Sequence, residues 1–343
     1  MTNNSFMNVA EYHSNSDIRI KKIVKPKIND KEILVQMRAC GICGTDVMEW
    51  YRKKKGPRVL GHEMSGEVVE VGDEVKTIKR KDRVFVSHHV PCFDCFYCNN
   101  DKFSACNSLH EGNFYPGGFS EYIKVPEENV KFGTFILPKG MTYDEASMIE
   151  PMACAVAGQK ILNTEKSQTV LIIGAGISGL THIQIARTLG AKIISTDLSE
   201  YRLEQAKKFG ADHTFKATEI SVSEIKKINE GRLADIVILC TGNQPAVEDT
   251  FRYVDKKGKI LFFAVPSSSI KLPSTKLWRN EISVFFSYGA SPDDIKNTLK
   301  LYEKGEINFK DMITHRFPLS RIVEGFHLVK QAKESIKIVV NPD

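Results

Sequence analysis

Apolar runs and helical stretches alternate most clearly in the middle of the chain. VLIIG (170–174) is a short continuous apolar run, the pattern of a strand buried on both faces, and THIQIARTLGA (181–191) reads as the helix that follows it. KIISTD (192–197) repeats the apolar strand pattern, and strand-like ADIVILCTG (234–242), helical QPAVEDTFRYV (244–254) and strand-like GKILFFAV (258–265) continue it. Such alternation predicts an α/β fold with a doubly wound parallel sheet. Upstream, MSGEVVEVG (64–72) alternates apolar and polar residues and reads as a half-buried strand, with glycines where the backbone bends or approaches a neighbour closely. An apolar helical stretch ends at Glu150-Pro151, and a second, rich in small residues, begins there.

Length and composition add limits. A chain of 343 residues is long for one core and points to about two domains. With 42% hydrophobic and 26% charged residues it has the composition of an ordinary globular protein. The net charge of +6 is spread thinly, and its sharpest basic run, Arg52-Lys53-Lys54-Lys55, reads as a solvated loop, so nucleic-acid binding is not expected. No stretch of eighteen residues is uniformly apolar and the N-terminus lacks a signal pattern, so neither membrane insertion nor secretion is expected. A cytoplasmic location, with its cysteines reduced, is the expectation.

Cys92, Cys95, Cys98 and Cys106 stand at C-x2-C-x2-C-x7-C, within a polar segment at about 88–107 that has no core of its own. Four thiolates at this spacing suit a tetrahedral structural zinc with no open position. An iron-sulfur cluster is a rival, but the bacterial run brings its fourth cysteine after three residues and then a proline. Disulfides or reduced, metal-free thiols complete the set of readings that four cysteines permit.

A second set, Cys43, His62 and Glu63, offers a thiolate, an imidazole and a carboxylate at the entry to the strand beginning near residue 64. On spacing alone this signal is weak, and a core histidine and a buried thiol explain these residues better. Glu150 is a further candidate, with an exposed helix-end glutamate as the competing reading.

Gly174-x-Gly176-Ile177-Ser178-Gly179 follows the first apolar strand and opens a helix, the context a dinucleotide fingerprint requires. Asp197 ends the next strand, where an acid accepts hydrogen bonds from ribose hydroxyls and repels a 2′-phosphate, which favours NAD over NADP. Arg202 nearby weakens that preference. Thr241, Gly242 and Val265 fall near the carboxyl ends of strands, where such sheets bind ligands. Cys40, Cys154 and Cys240 read as small core residues.

Taken together, CGTD (43–46), GHEMSGEVVEVG (61–72), the four-cysteine lobe, the Glu150-Pro151 pair and GAGISG (174–179) resemble the zinc-dependent medium-chain dehydrogenases. The resemblance implies a mainly β, GroES-like catalytic domain at 1–151 and 288–343 and a Rossmann domain at 152–287. It also implies two zinc ions per subunit and NAD as cofactor. Cys43, His62 and Glu150 would ligate the catalytic zinc, Glu63 would ligate it or lie beside it, and Asp46 would fix the imidazole of His62. Thr45 would hydrogen-bond the substrate hydroxyl and relay its proton toward the cofactor. HRFPLSRIVEGFHLV (315–329) is similar to the family's closing helix.

One position departs from the family: many relatives carry a proton-relaying histidine where this chain has Met48, so Glu49, His88, His89 or water would have to serve. Ser87, His88, His89 and Trp50 correspond to the family's substrate pocket. Their polarity implies a polar secondary alcohol such as a polyol, sugar, sugar phosphate or hydroxy amino acid. A simple alcohol dehydrogenase, a zinc-free NADPH-dependent quinone reductase and a non-enzymatic NAD-binding protein are the competing functions. A small-molecule substrate is expected, and the resemblance implies a homodimer or homotetramer joined through the Rossmann sheets.

Overall fold

The computed structural model describes residues 5–111, 113–266 and 268–343, with the side chain of Lys55 outside the description. The chain forms two compact units: residues 1–150, 290–299 and 309–343, and residues 151–289 with 300–308.

The first unit is built on a seven-stranded sheet. Ile313–Pro318, Lys337–Asn341, Ile33–Gly41, Glu63–Val71, Arg83–Val86 and Thr134–Ile136 lie in that order, and Tyr122–Val125 also pairs with Ile33–Gly41. A second sheet orders Asp17–Val24, Phe6–Ser14 and Arg58–Val59. Val35, Met37, Met64, Val84, Ile123, Phe326 and Ile338 belong to one core that joins these strands to the helix Ile322–Gln331. The register matters for the site. Gly41 pairs with Glu63 on one side and Val339 on the other, so the start of the Glu63 strand and the strand of Lys337 flank the chain as it runs into Cys43.

In the second unit, six parallel strands run in the order His213–Lys216, Lys192–Asp197, Thr169–Ile173, Ala234–Leu239, Val254–Phe262 and Ser283–Phe286. Every residue of Thr169–Ile173 is buried, which explains the continuous apolar run Val170–Ile173. The order reverses direction at this strand, the place where open parallel sheets bind nucleotides.

Two elements differ from the sequence expectation. The strand expected at 258–265 runs Val254–Phe262, because its first half carries Asp255, Lys256 and Lys257, which are partly or fully exposed and hide the apolar pattern. It stops before Val265, which is 49% exposed. The segment expected to be one closing helix divides: Ile313–Pro318 is a strand paired with Lys337–Asn341, and only Ile322–Gln331 is α-helical. No helix among the described residues is long and apolar enough to cross a membrane.

Candidate active site

The four lobe cysteines converge. Cys95 and Cys98 sulfurs are 3.6 Å apart, Cys92 and Cys106 3.6 Å, and Cys92 and Cys98 3.9 Å. A tetrahedron with metal–sulfur bonds of about 2.3 Å has edges of about 3.8 Å, whereas a disulfide needs about 2 Å, so the spacing suits a zinc ion and no cross-link. Tight turns around Cys98 and Phe103 bring the sulfurs together, and Leu109 and Phe103 supply a small apolar floor. Burial first, then the neighbouring sulfurs, pushes the Cys98 thiol up to about 12. Cys106 is also buried, yet backbone N–H groups of Cys92 and Leu109 hold it near 6.

The second cluster forms where three strands meet. Ligand atoms of Cys43, His62 and Glu63 all lie within 4.8 Å of one another. Glu150 is not in that set, but the second residue of the helix Ile149–Leu162 is close enough for its charge to act on His62 and on Lys337. Asp46 is fully buried, accepts the backbone N–H of Cys43 at 3.1 Å, and lies 3.6 Å from Nδ1 of His62. Thr45 directs both its N–H, at 3.4 Å, and its hydroxyl, at 3.3 Å, toward the Cys43 sulfur.

Burial works against a charged imidazole at His62, but the anions of Asp46, Cys43 and Glu150 overcome it and raise the ring to about 10. A buried ring that holds a proton this firmly sits in a pocket with an excess of negative charge. Counting Cys43 as a thiolate and His62 as the neutral ring a metal requires, four anions (Cys43, Asp46, Glu63, Glu150) face two buried or half-buried cations, Arg52 and Lys337, leaving two negative charges. That excess matches one divalent cation, and thiolate, imidazole and carboxylate are zinc donors.

Lys337 and Arg52 join this cluster without being expected there from sequence. Lys337 donates to the Glu63 carboxylate and, at 3.3 Å, to the Ile42 carbonyl; both side chains of the pair are 1% exposed. The available signal is a lone lysine inside the apolar stretch SIKIVVN (335–341). Gly41 makes room for the pair: a Cβ there would fall 2.1 Å from Glu63 Oε2. The rings of His88 and His89 lie 3.7 Å apart, tilted by 35°, and the His88 ring lies 4.8 Å from that of His62. Burial drives both far toward the neutral form, His89 to about 3. Ser87 is buried and bonded to the His89 carbonyl at 3.0 Å, while Trp50 is 51% exposed with its ring edge toward Tyr51. Glu49 is engaged by the Asn15 N–H at 3.1 Å and by Lys53 at 3.4 Å.

In the second unit the helix Ile177–Thr188 starts at Gly176 with no side-chain cap, and the first amides of an uncapped helix, here including those of Ile177 and Ser178, are donors that an anion can satisfy. Gly179 has no substitute, since a Cβ would lie 1.9 Å from the Gly174 carbonyl oxygen. Asp197 is fixed by N–H groups of Ala175 at 2.8 Å and Ser199 at 3.0 Å, and Arg202 stands 3.9 Å away with its Nε buried and unpaired. Thr241 follows the strand Ala234–Leu239, its hydroxyl 3.4 Å from the Asn243 N–H. Of the leftover cysteines Cys40 is fully buried, while Cys154 and Cys240 keep some exposure, and burial raises the Cys240 thiol.

Comparison with known proteins agrees with this geometry. Residues 29–132 match the alcohol dehydrogenase GroES-like domain and residues 178–304 the zinc-binding dehydrogenase family. The chain is 30% identical to a sorbitol dehydrogenase of Bacillus subtilis, over 98% of both chains. It is 32% identical to an L-threonine 3-dehydrogenase of Caldanaerobacter subterraneus, over 97% of this chain and 98% of the relative. A dehydrogenase from Escherichia coli complexed with NADH superposes with a TM-score of 0.88 at 25% identity, over 98% of this chain and 99% of that one. With a GroES-like unit, a parallel nucleotide-binding sheet, two metal-compatible clusters and relatives matched end to end, the chain belongs to the zinc-dependent medium-chain dehydrogenases and is an NAD-dependent oxidoreductase.

Proposed function

We propose that this dehydrogenase interconverts a polar secondary alcohol and its ketone, with a polyol, sugar, sugar phosphate or hydroxy amino acid as substrate. The observation that carries the reading is the convergence of Cys43, His62 and Glu63, with an excess of negative charge, beside Thr45 and the adjacent imidazoles of His88 and His89. Polar rings at that place offer hydrogen bonds that an aliphatic chain would waste and a polyhydroxylated carbon chain would use. The two relatives are named for sorbitol and L-threonine, both polar secondary alcohols.

Cys43, His62 and Glu150 would hold the catalytic zinc. Glu63 is the poorer ligand, because the ammonium of Lys337 already claims its carboxylate. When bound, the zinc supplies a Lewis acid that lowers the pKa of an alcohol hydroxyl. Thr45 hydrogen-bonds that hydroxyl, and His88 and His89 take up neighbouring substrate hydroxyls or an amino group. The amides of Gly176 to Gly179 hold the pyrophosphate of NAD and Asp197 the adenosine ribose. Met48 carries no proton, and Glu49 is committed to Asn15 and Lys53, so proton exit falls to water or the histidine pair.

Cys92, Cys95, Cys98 and Cys106 would hold a second, structural zinc, giving two per subunit in a cytoplasmic homo-oligomer. The test is an NAD reduction screen over polyols, sugar phosphates, threonine and simple alcohols, with zinc measured on the same preparation. Activity on a polar secondary alcohol with two zinc per chain is the expected result. Preference for simple alcohols, or turnover surviving Cys43→Ser, overturns the reading.

A further inference from the structure

Arg52 opens the basic run 52–55 but does not share its exposure. Its side chain is 16% exposed, whereas Lys53 and Lys54 face solvent. Its Nε donates to the Thr45 carbonyl at 2.9 Å, and its Nη2 donates both to Thr45 Oγ1 at 2.9 Å and to Asp46 Oδ1 at 3.1 Å. Asp46 is itself held, fully buried with its other oxygen accepting from the Cys43 N–H. The guanidinium is therefore anchored on a fixed carboxylate and grips one residue through both its backbone and its side chain.

A threonine hydroxyl has one proton and two lone pairs, and arginine can only donate. The Arg52 bond occupies one lone pair of Thr45, so the hydroxyl proton must point elsewhere; here it points at the Cys43 sulfur. A hydroxyl that accepts from a cation is polarised into a stronger donor and a weaker base. A proton left on Thr45 would stand against the guanidinium charge, which disfavours Thr45 as the group that removes the substrate proton.

We propose that Arg52 is a positioning residue of the reaction: anchored by Asp46, it holds the Thr45 hydroxyl as a hydrogen-bond donor to the reacting oxygen of the substrate. Negative charge developing on that oxygen then meets a donor already oriented and polarised, which costs no reorganisation at the moment of reaction. The inference rests on reading the Cys43 cluster as the catalytic centre.

The test is a double-mutant cycle of Arg52→Ala and Thr45→Val, with Arg52→Lys as the conservative variant. In Arg52→Ala we expect kcat to fall about tenfold to a hundredfold, with KM changed by less than about threefold and with zinc content and NADH binding retained. Arg52→Lys recovers part of the loss. Because Arg52 acts through Thr45, the double variant is no slower than Thr45→Val alone. Independent losses that multiply, an unchanged kcat in Arg52→Ala, or a loss that follows the zinc content overturn the proposal.

A second readout needs no turnover. With cobalt exchanged for zinc, the thiolate-to-cobalt absorption reports the hydrogen bonds on the Cys43 sulfur. The band should shift in Arg52→Ala, and the double variant should show the same band as Thr45→Val alone. A band indifferent to Arg52 sinks the proposal even if no alcohol is ever found to reduce NAD, and a shift supports it in that case too.

Discussion

Lys337 and Glu63, 274 positions apart, form an ion pair with both side chains buried beside the Cys43 cluster. The pair exists because the strand Lys337–Asn341 lies against Ile33–Gly41, which in turn pairs with the strand Glu63–Val71. Removing one member leaves the other charge buried, which costs more than the pair contributes. Lys337→Met should therefore lower stability by about 3–5 kcal/mol. The double change Lys337→Met with Glu63→Gln should cost less than Lys337→Met alone. Denaturant unfolding of the three proteins checks this, and equal losses in single and double variants would show that the lysine stem, not its charge, matters.

His182 gives a pH dependence whose sign can be worked out. It is fully buried in the helix Ile177–Thr188, with Nδ1 3.3 Å from the Gln159 amide nitrogen and Nε2 without a partner, and burial lowers it to about 3. The unfolded chain binds a proton on this ring below about pH 6.5, while the native ring stays neutral until about pH 3. The contribution is thus complete above 6.5 and is lost as pH falls through the window from 6.5 to 3. Between pH 7 and pH 5 the loss amounts to about 2 kcal/mol. His182→Met should flatten that part of the stability curve; a wild-type slope in the variant would assign it to other groups.

The nucleotide unit is the more legible part of the sequence, and the reason is burial. Thr169–Ile173 and most of Ala234–Leu239 are buried, so Val170–Ile173 and Ile236–Leu239 are continuous apolar runs. Val254–Phe262 looks shorter in sequence than it is because its leading run of charge, Asp255 to Lys257, is exposed. The ligand candidates Cys43, His62 and Glu63 are visible as residue types, but their convergence depends on a register among three strands that spacing does not encode. Arg52 is hidden by its neighbours: a four-residue basic run averages to a solvated loop, although one member points inward. Lys337 is hidden by the apolar strand around it, where a single lysine reads as an edge residue. In both cases the missing information is the anion opposite, Asp46 or Glu63, supplied by another part of the chain.

Asp197 should decide between the two nicotinamide cofactors. Its carboxylate is fixed by Ala175 and Ser199, which aims it without exhausting its lone pairs, and Arg202 lies 3.9 Å away. Asp197→Ala removes a charged acceptor for the ribose and frees Arg202 to meet a 2′-phosphate. The KM for NAD should rise about tenfold, as expected for losing a hydrogen bond to a charged group, while that for NADP falls. Steady-state kinetics with both cofactors measure this, and an unchanged ratio would remove Asp197 from the discrimination.

The outer strand Ser283–Phe286 pairs only with Val254–Phe262 among the described residues. Phe286 is 64% exposed, and Trp278 and Tyr288 nearby in sequence are 81% and 52% exposed. An uncovered apolar edge strand invites pairing with another chain, and a large exposed apolar surface normally marks an interface. A second copy adding the same strand antiparallel would satisfy the edge by continuing the sheet across a two-fold axis. The wild-type protein should therefore sediment as a dimer or a larger even assembly. Val284→Pro, which removes a backbone donor and distorts the edge, should shift it toward monomer, and Phe286→Asp should do the same through charge. Both variants should still bind NADH if the nucleotide site is complete within one chain. Monomeric wild-type protein, or a dimer untouched by either substitution, would place the contact elsewhere.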